Sequence, residues 1–310
     1  MHIQWYPGHM HKANKDIKEV LPQMDLIIEV LDARIPFSSQ NPLLATLRGT
    51  KPCIRVLSKT DLADPETTLL WQNYLEQEQG VKTLAVTTQQ PEKIKLITQL
   101  CQRMVPDRGS NDKTIKTLIM GIPNVGKSTI INILANRMIA ITGNEPAVTK
   151  RQQRIKLDNN IVLSDTPGVL WPNVENKNSA YRLAVTGAIK DTAIDYSDIA
   201  FFAAEYLLEY YPEQLKTRFV LDSVPDNETD LMDAIGRKRG CLRAGKKVDI
   251  EKTSKILIAE LRAGSIGNIT LERPEIIEKE LIELAIIQEK KAAKKTKRKQ
   301  NWKQSRTKKE

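Results

Sequence analysis

Gly121-Ile-Pro-Asn-Val-Gly126-Lys127-Ser128-Thr129 is the stretch on which the fold turns. It fits G-x-x-x-x-G-K-[ST], follows an apolar run at Thr117–Gly121 and opens a helical run at Lys127–Ala135, the strand-to-helix context the pattern needs. Glycines in such a loop let successive backbone N–H groups curl around phosphate oxygens, and the start of the helix adds partial positive charge. Asn124, Val125, Gly126 and Thr129 are read as the cradle. Lys127 reaches the terminal phosphates as their main cation, and so counts as catalytic as well as binding. Ser128 offers a hydroxyl to magnesium.

Downstream, Asp165-Thr-Pro-Gly168 follows a second apolar run, Ile161–Ser164. A carboxylate at a strand end can hold a magnesium shell through water, and Gly168 lets its backbone N–H approach a γ-phosphate closely. Thr149, in the polar loop Thr142–Lys150 between the two motifs, is placed to give the second magnesium oxygen. Asp-x-x-Gly is weak alone; after a phosphate loop, in this order, it is specific.

The base reader lies upstream. Ser58-Lys59-Thr60-Asp61 follows the run Cys53–Leu57, and no comparable string follows Gly168. A carboxylate at Asp61 can accept from N1–H and from the 2-amino group of guanine. Adenine has neither donor, which disfavours an ATP-driven enzyme. The stem of Lys59 can lie over the base, and Thr87-Thr88, after the next strand, can bring a backbone N–H to the guanine O6. GTP and GDP are therefore the expected nucleotides. Along the chain the parts run base reader, base-side loop, phosphate loop, magnesium threonine, Asp-x-x-Gly. Ordinary small GTPases begin with the phosphate loop, so the order reads as a circular permutation, with Val105–Lys113 joining the old ends.

Strand-like runs at Asp25–Leu31, Cys53–Leu57, Lys82–Thr87, Thr117–Gly121, Arg154–Leu157 and Ile161–Ser164 alternate with helical ones at Pro65–Gln79, Pro91–Met104 and Lys127–Ala135. Such alternation predicts an α/β fold, a mostly parallel sheet with helices on both faces. From Asn178 no strand is evident. Ser197–Tyr210, with Ser197 as cap, and Asp249–Arg262 read as helices of a small all-α domain. The expected organisation is a permuted P-loop domain at 1–177, a helical domain at 178–273, and at 274–310 a helix running into a basic, disordered tail.

The chain has 310 residues, 40% apolar, 5% aromatic, with a net charge of +10. That charge is local: 290–309 hold eleven Lys/Arg and no acid, whereas 1–289 balance at 37 basic and 37 acidic residues. A basic tail on a neutral body suggests a polyanionic partner, and equally suits a solvated end. A second cluster, Arg237, Lys238, Arg239, Arg243, Lys246 and Lys247, is denser than a helix dipole requires and is read as an RNA-phosphate contact. Asp32 and Arg34 are read as a local ion pair. Cys53, Cys101 and Cys241 have neither zinc nor disulfide spacing and are read as buried or free thiols. No secretory leader or membrane span is read, so a cytoplasmic protein is expected.

With those residues in place, the chain closely resembles the circularly permuted GTPases of the ribosome biogenesis GTPase A family. The matching strings are Gln4-Trp-Tyr-Pro-Gly-His-Met10, Asp32-Ala-Arg-Ile-Pro36 with Asn41-Pro42, Gly121–Thr129, Asp165-Thr-Pro-Gly-Val-Leu-Trp-Pro172 and Ala184-Val-Thr-Gly-Ala-Ile-Lys190. The resemblance covers about 3–265; the tail from Pro274 has no counterpart in it. What the resemblance implies is GTP hydrolysis in late assembly of the large ribosomal subunit, stimulated by the particle. The implied partners are the large-subunit precursor and its rRNA, with no DNA and no membrane, for a monomer. The position that orients water in many GTPases is Val169 here, which cannot hydrogen-bond. The resemblance points instead to His9, which either orients the water or contacts RNA. It also likens Asn124 to a potassium-binding asparagine; loop geometry is the other explanation. One departure is Ser58, where the family usually has Asn. Losing one neutral hydrogen bond costs about 1 kcal/mol, which implies weaker nucleotide binding with base choice unchanged. A scaffold that binds RNA and turns GTP over incidentally is the competing reading.

Overall fold

The computed structural model describes residues 8–109, 113–140, 153–157, 160–171 and 174–307. Six strands, β1 (Leu26–Asp32), β2 (Cys53–Ser58), β3 (Val81–Ala85), β4 (Ile115–Gly121), β5 (Gln153–Lys156) and β6 (Ile161–Asp165), form one sheet in the order β3-β2-β1-β4-β6-β5. All pairings are parallel except β5 with β6. Every residue of β1 and of β2 is buried. Since successive side chains point to opposite faces, both faces of the sheet centre are covered, and this explains why Leu26–Leu31 reads as a nearly continuous apolar run. The one charge within it, Glu29, sits opposite Arg55 in register and pairs with it at 3.3 Å.

Helices before and between the strands are α1 (Gly8–Val20), α2 (Pro42–Leu47), α3 (Pro65–Leu75), α4 (Pro91–Met104), a single turn α5 (Pro106–Gly109) inside the expected linker, and α6 (Lys127–Leu134). α3 starts where the sequence places it: the Asp64 side chain accepts from the backbone N–H of Glu66 and Thr67, with Pro65 at the first helical position. α4 buries Ile94, Ile97 and Cys101, a stripe at helical spacing.

Beyond β6 the chain is helical: α7 (Lys177–Val185), α8 (Tyr196–Tyr210), α9 (Pro212–Phe219), α10 (Glu228–Lys238), α11 (Ile250–Arg262) and α12 (Pro274–Thr307). Among the described residues the only β pairing here is one bridge, Leu242 with Val248. The cap of α8 is Asp195, which accepts from Ser197 and Asp198, so the expected cap Ser197 is instead inside the helix. A carboxylate at that position also complements the helix dipole, which a hydroxyl does not.

The chain divides into two compact units, Met1–Glu272 and Arg273–Glu310. The boundary read at 177/178 falls inside the first unit, where residues after α11 hydrogen-bond back onto the loops of β1 and β2. In the second unit α12 continues to Thr307, where the sequence led us to expect disorder. Its 290–307 portion has no Gly or Pro and is rich in Lys, Ala and Arg, residues of high helix propensity. All three cysteines are free and buried, and burial pushes the Cys53 and Cys101 thiols up to about 12. No helix among the described residues is long and apolar enough to cross a membrane.

Candidate nucleotide-binding site

Parallel strands place their carboxyl ends on one edge, and the register shows which residues meet there. Asp32 lies opposite Ser58, Leu57 opposite Ala85, Val30 opposite Gly121, and Ile119 opposite Asp165. The chain leaves β1 toward β2 and β3 on one side and resumes at β4 on the other. The β1/β4 seam is thus a topological switch point, the usual crevice for a ligand in an open α/β sheet. The phosphate loop, base-reader loop and Asp-x-x-Gly turn all emerge on this edge.

The phosphate loop is shaped by what a side chain would strike. A Cβ on Gly121 would lie 2.7 Å from the Val30 carbonyl oxygen and 2.9 Å from Val125. Gly126 sits at φ 87° as N-cap of α6 and, being glycine, makes no side-chain cap bond. Ser128 and Thr129 follow, half-buried, in its first turn. The Asp-x-x-Gly turn packs against this loop: Val169 N donates to the Gly121 carbonyl at 3.2 Å, and a Cβ on Gly168 would come within 3.0 Å of Pro123 Cα. Val169 itself is buried.

Lys127 and Asp165 form an ion pair, 5% and 1% exposed. Burial pushes the Lys127 ammonium below its ordinary value and the Asp165 carboxyl above its own, and their mutual attraction opposes both shifts. Among the described residues, the other carboxylate oxygen, Asp165 Oδ2, is buried with no hydrogen-bond partner.

The base-reader loop is tied to its neighbours on three sides. Ser58 Oγ reaches the Val125 carbonyl of the phosphate loop at 2.6 Å and the Leu31 carbonyl at 2.9 Å. Lys59, at φ 58°, donates to Asp32 Oδ2 at 2.9 Å. Thr60 N donates to the Val86 carbonyl, next to the buried Thr87 and the exposed Thr88. Asp61 is half-buried. Asp32 and Arg34 form the local pair expected, as a fork with contacts of 2.9 and 2.7 Å. The same carboxylate also holds Lys59, which the sequence did not suggest. Burial pushes Asp32 up, but Arg34 and Lys59 outweigh it and hold the carboxyl below the usual carboxylate range.

Asn124, at φ 59°, donates its amide to the Gly187 carbonyl at 2.8 Å, joining the phosphate loop to the turn after α7. Beside it opens a cleft of about 520 Å³ lined by Arg34, Lys59, Asn124, Gly187, Lys190 and Arg262 among others; neither Lys127 nor Asp61 lines it. Thr149 lies outside the described residues. His9 is in the first turn of α1, and its side chain is likewise outside them.

A family model described as 50S ribosome-binding GTPase matches residues 116–224, which covers the phosphate loop and the Asp-x-x-Gly turn. Ribosome biogenesis GTPase A of Priestia megaterium is 43% identical over 91% of this chain and all of its own length. The Thermotoga maritima protein of that name is 32% identical over 89% of this chain and 96% of its own. The chain belongs to the ribosome biogenesis GTPase A family. Two solved structures agree: GDP-bound YlqF from T. maritima has a TM-score of 0.60 at 27% identity over 84% of this chain and 99% of its own, and the GNP-bound form scores 0.59 at 28% over 85% and 99%.

As a member of the ribosome biogenesis GTPase A family the chain is a GTP hydrolase, and its site carries the fittings of one. The unpartnered Asp165 Oδ2 and the half-buried Ser128 hydroxyl suit a hydrated magnesium ion, which keeps several waters and takes few protein oxygens. The Ser58 hydroxyl has one proton and two carbonyls in reach, Val125 and Leu31, so it can donate to either but not to both at once.

Proposed function

We propose that this GTPase docks on the precursor of the large ribosomal subunit through rRNA and hydrolyses GTP during late maturation, release following hydrolysis. Membership of the family makes it a GTPase of ribosome biogenesis; the narrower reading rests on the site and the charge. The observation that carries it is the convergence, on one sheet edge, of the base-reader loop, the phosphate loop and the Asp-x-x-Gly turn. Asp61 reads guanine, with Lys59 over the base and Ser58, Thr60, Thr87 and Thr88 around it. Asn124 to Thr129 hold the phosphates, with Lys127 as their cation, and Gly168 gives its N–H to the γ-phosphate. Ser128, Thr149 and Asp165 are the magnesium residues; the ion would neutralise phosphate charge.

Buried Val169 cannot orient the attacking water, which favours His9 for that role. Asn124 is the residue we assign to potassium, in exchange for its bond to Gly187. The order of the parts is that of a circular permutation. In this reading the nucleotide-sensing turn leads straight into the helical domain at 178–273, which reports the state of the site to rRNA. The protein acts as a cytoplasmic monomer, and neither DNA nor membrane is a partner.

Steady-state GTP turnover with and without large-subunit precursor particles, in potassium and in sodium, tests this. Stimulation by particles, greater in potassium, is expected. Turnover indifferent to particles would favour a scaffold in which hydrolysis is incidental. For His9→Ala we expect intact nucleotide affinity and lower particle-stimulated turnover. Lost particle binding with turnover of the bound enzyme unchanged would make His9 an RNA contact.

A further inference from the structure

The loop that carries Ser58–Asp61 is closed from outside by a segment distant in sequence. Asn268 Nδ2 donates to the Asp61 carbonyl at 3.2 Å and to the Ala63 carbonyl at 3.1 Å. Ile269 N donates to the carbonyl between them, Leu62, at 2.9 Å. Asp64 N donates to Thr270 Oγ1 at 3.1 Å, and Leu271 N to the Arg34 carbonyl at 2.8 Å. Three successive carbonyls of the base-reader loop are therefore held by two adjacent residues. The same segment begins at Gly264, at φ 72°, where a Cβ would lie 2.7 Å from Leu62 Cδ2. Leu62 is seated there because position 264 has no side chain.

We infer that Asn268 is a positioning residue for guanine recognition, fixing the Asp61–Leu62 peptide so that the Asp61 carboxylate meets both guanine donors. The inference rests on the reading of Asp61 as the base reader. A bidentate contact depends steeply on angle, because hydrogen bonds weaken fast as they bend. Asp61 hangs from a backbone whose own carbonyl is set by the Asn268 amide. The other side of that peptide, Leu62 N, donates to the Lys59 carbonyl at 3.0 Å, so without the Asn268 amide the peptide keeps one tie and can tilt about it, and one of the two contacts to the base is lost first. The Asn268 side chain is at the surface and fills no core space, so its contribution is orientation rather than packing. The arrangement also makes the segment after α11 part of the specificity apparatus.

The test is equilibrium binding of GDP and of inosine diphosphate, which lacks the 2-amino group, to the full chain and to Asn268→Ala, Asn268→Gln and Asp61→Asn. In Asn268→Ala, GDP affinity should fall about tenfold, the size of one charge-assisted hydrogen bond, with a smaller fall for inosine diphosphate. The GDP/IDP ratio then shrinks while the melting temperature of the nucleotide-free protein stays close to that of the parent. Asn268→Gln, which keeps the amide hydrogens, should restore part of the ratio. An unchanged ratio in Asn268→Ala, or equal losses for both nucleotides, overturns the proposal. Asp61→Asn should exchange GDP for xanthosine diphosphate. If it does not, the reading of Asp61 fails and takes this inference with it; if it does while the Asn268→Ala ratio is unchanged, only this inference fails.

Discussion

Asp32 ends β1 and carries two cations on one carboxylate. Arg34 grips it as a fork, and Lys59 joins from the base-reader loop. Arg34 is 3% exposed, so removing the negative charge would strand a buried guanidinium. Breaking one side of such a pair typically costs about 3–5 kcal/mol. We predict that Asp32→Asn is destabilised by that order. A pH dependence follows as well. The folded carboxyl is held below its unfolded value of about 3.9. Its stabilisation is therefore complete above that value and drains away as pH falls through the folded one. Urea unfolding between about pH 5 and pH 3 should show a steeper loss in the parent than in Asp32→Asn; parallel slopes would show that Asp32 is not the group responsible. The Asp32–Arg34 pair was legible in sequence because its members are two residues apart. The tie to Lys59 was not, because it is created by the parallel register that sets Asp32 opposite Ser58. The same holds for Ser58, whose tether to Val125 depends on β2 and the phosphate loop opening on the same edge.

Among the elements, the start of α3 was legible, with Asp64 as its cap and Pro65 at the first helical position, whereas α8 is capped by Asp195 and not by Ser197. The basic stretch around the end of α10 was legible as charge but not as pairing. Arg237 meets Asp233, Lys238 meets Asp222, Arg239 meets Glu260 and Arg243 meets Asp249. Exposed pairs of this kind contribute little and open readily, so they leave the stretch able to meet phosphate. Gly236, which flanks it, has a tertiary reason to be glycine. A Cβ there would lie 2.3 Å from Val248 Cγ1 and 2.8 Å from Thr253 Oγ1, closing the approach of α11 to α10. Helix propensity alone would favour alanine by about 1 kcal/mol. Overpacking costs about 1–3 kcal/mol and should win. Gly236→Ala is therefore expected to lower stability by roughly 1–2 kcal/mol in urea unfolding, whereas a gain would mean that Val248 moves aside freely.

At the scale of the whole molecule, the parallel sheet and the side on which its loops open were legible from alternation and from the phosphate loop. The return of the chain after α11 to brace the base-reader loop was not, since hydrogen bonds between residues about 200 positions apart leave no local pattern in the sequence. The second unit reverses that relation: its charge was plain and its helix was not. Nine Lys/Arg lie between 290 and 307, and α12 continues through them. Like charges at i,i+4, such as Lys290 with Lys294 and Lys291 with Lys295, oppose a helix by a few tenths of a kcal/mol each. Phosphates bound along this stretch would remove that repulsion, so RNA should raise its helicity as well as bind it. Each phosphate neutralised releases counterions, at roughly 0.7 of a log unit in affinity per log unit of salt on single strands. Deleting Lys290–Glu310 should therefore weaken binding to large-subunit particles and flatten its salt dependence. Nucleotide affinity and intrinsic turnover should not change, because every residue assigned to the nucleotide precedes Val169 apart from Asn268 and its neighbours in the first unit. Binding measured across a salt series, with circular dichroism of the full chain with and without RNA, reads both effects. Equal salt slopes for the two chains would remove the tail from recognition and leave it a solvated helix.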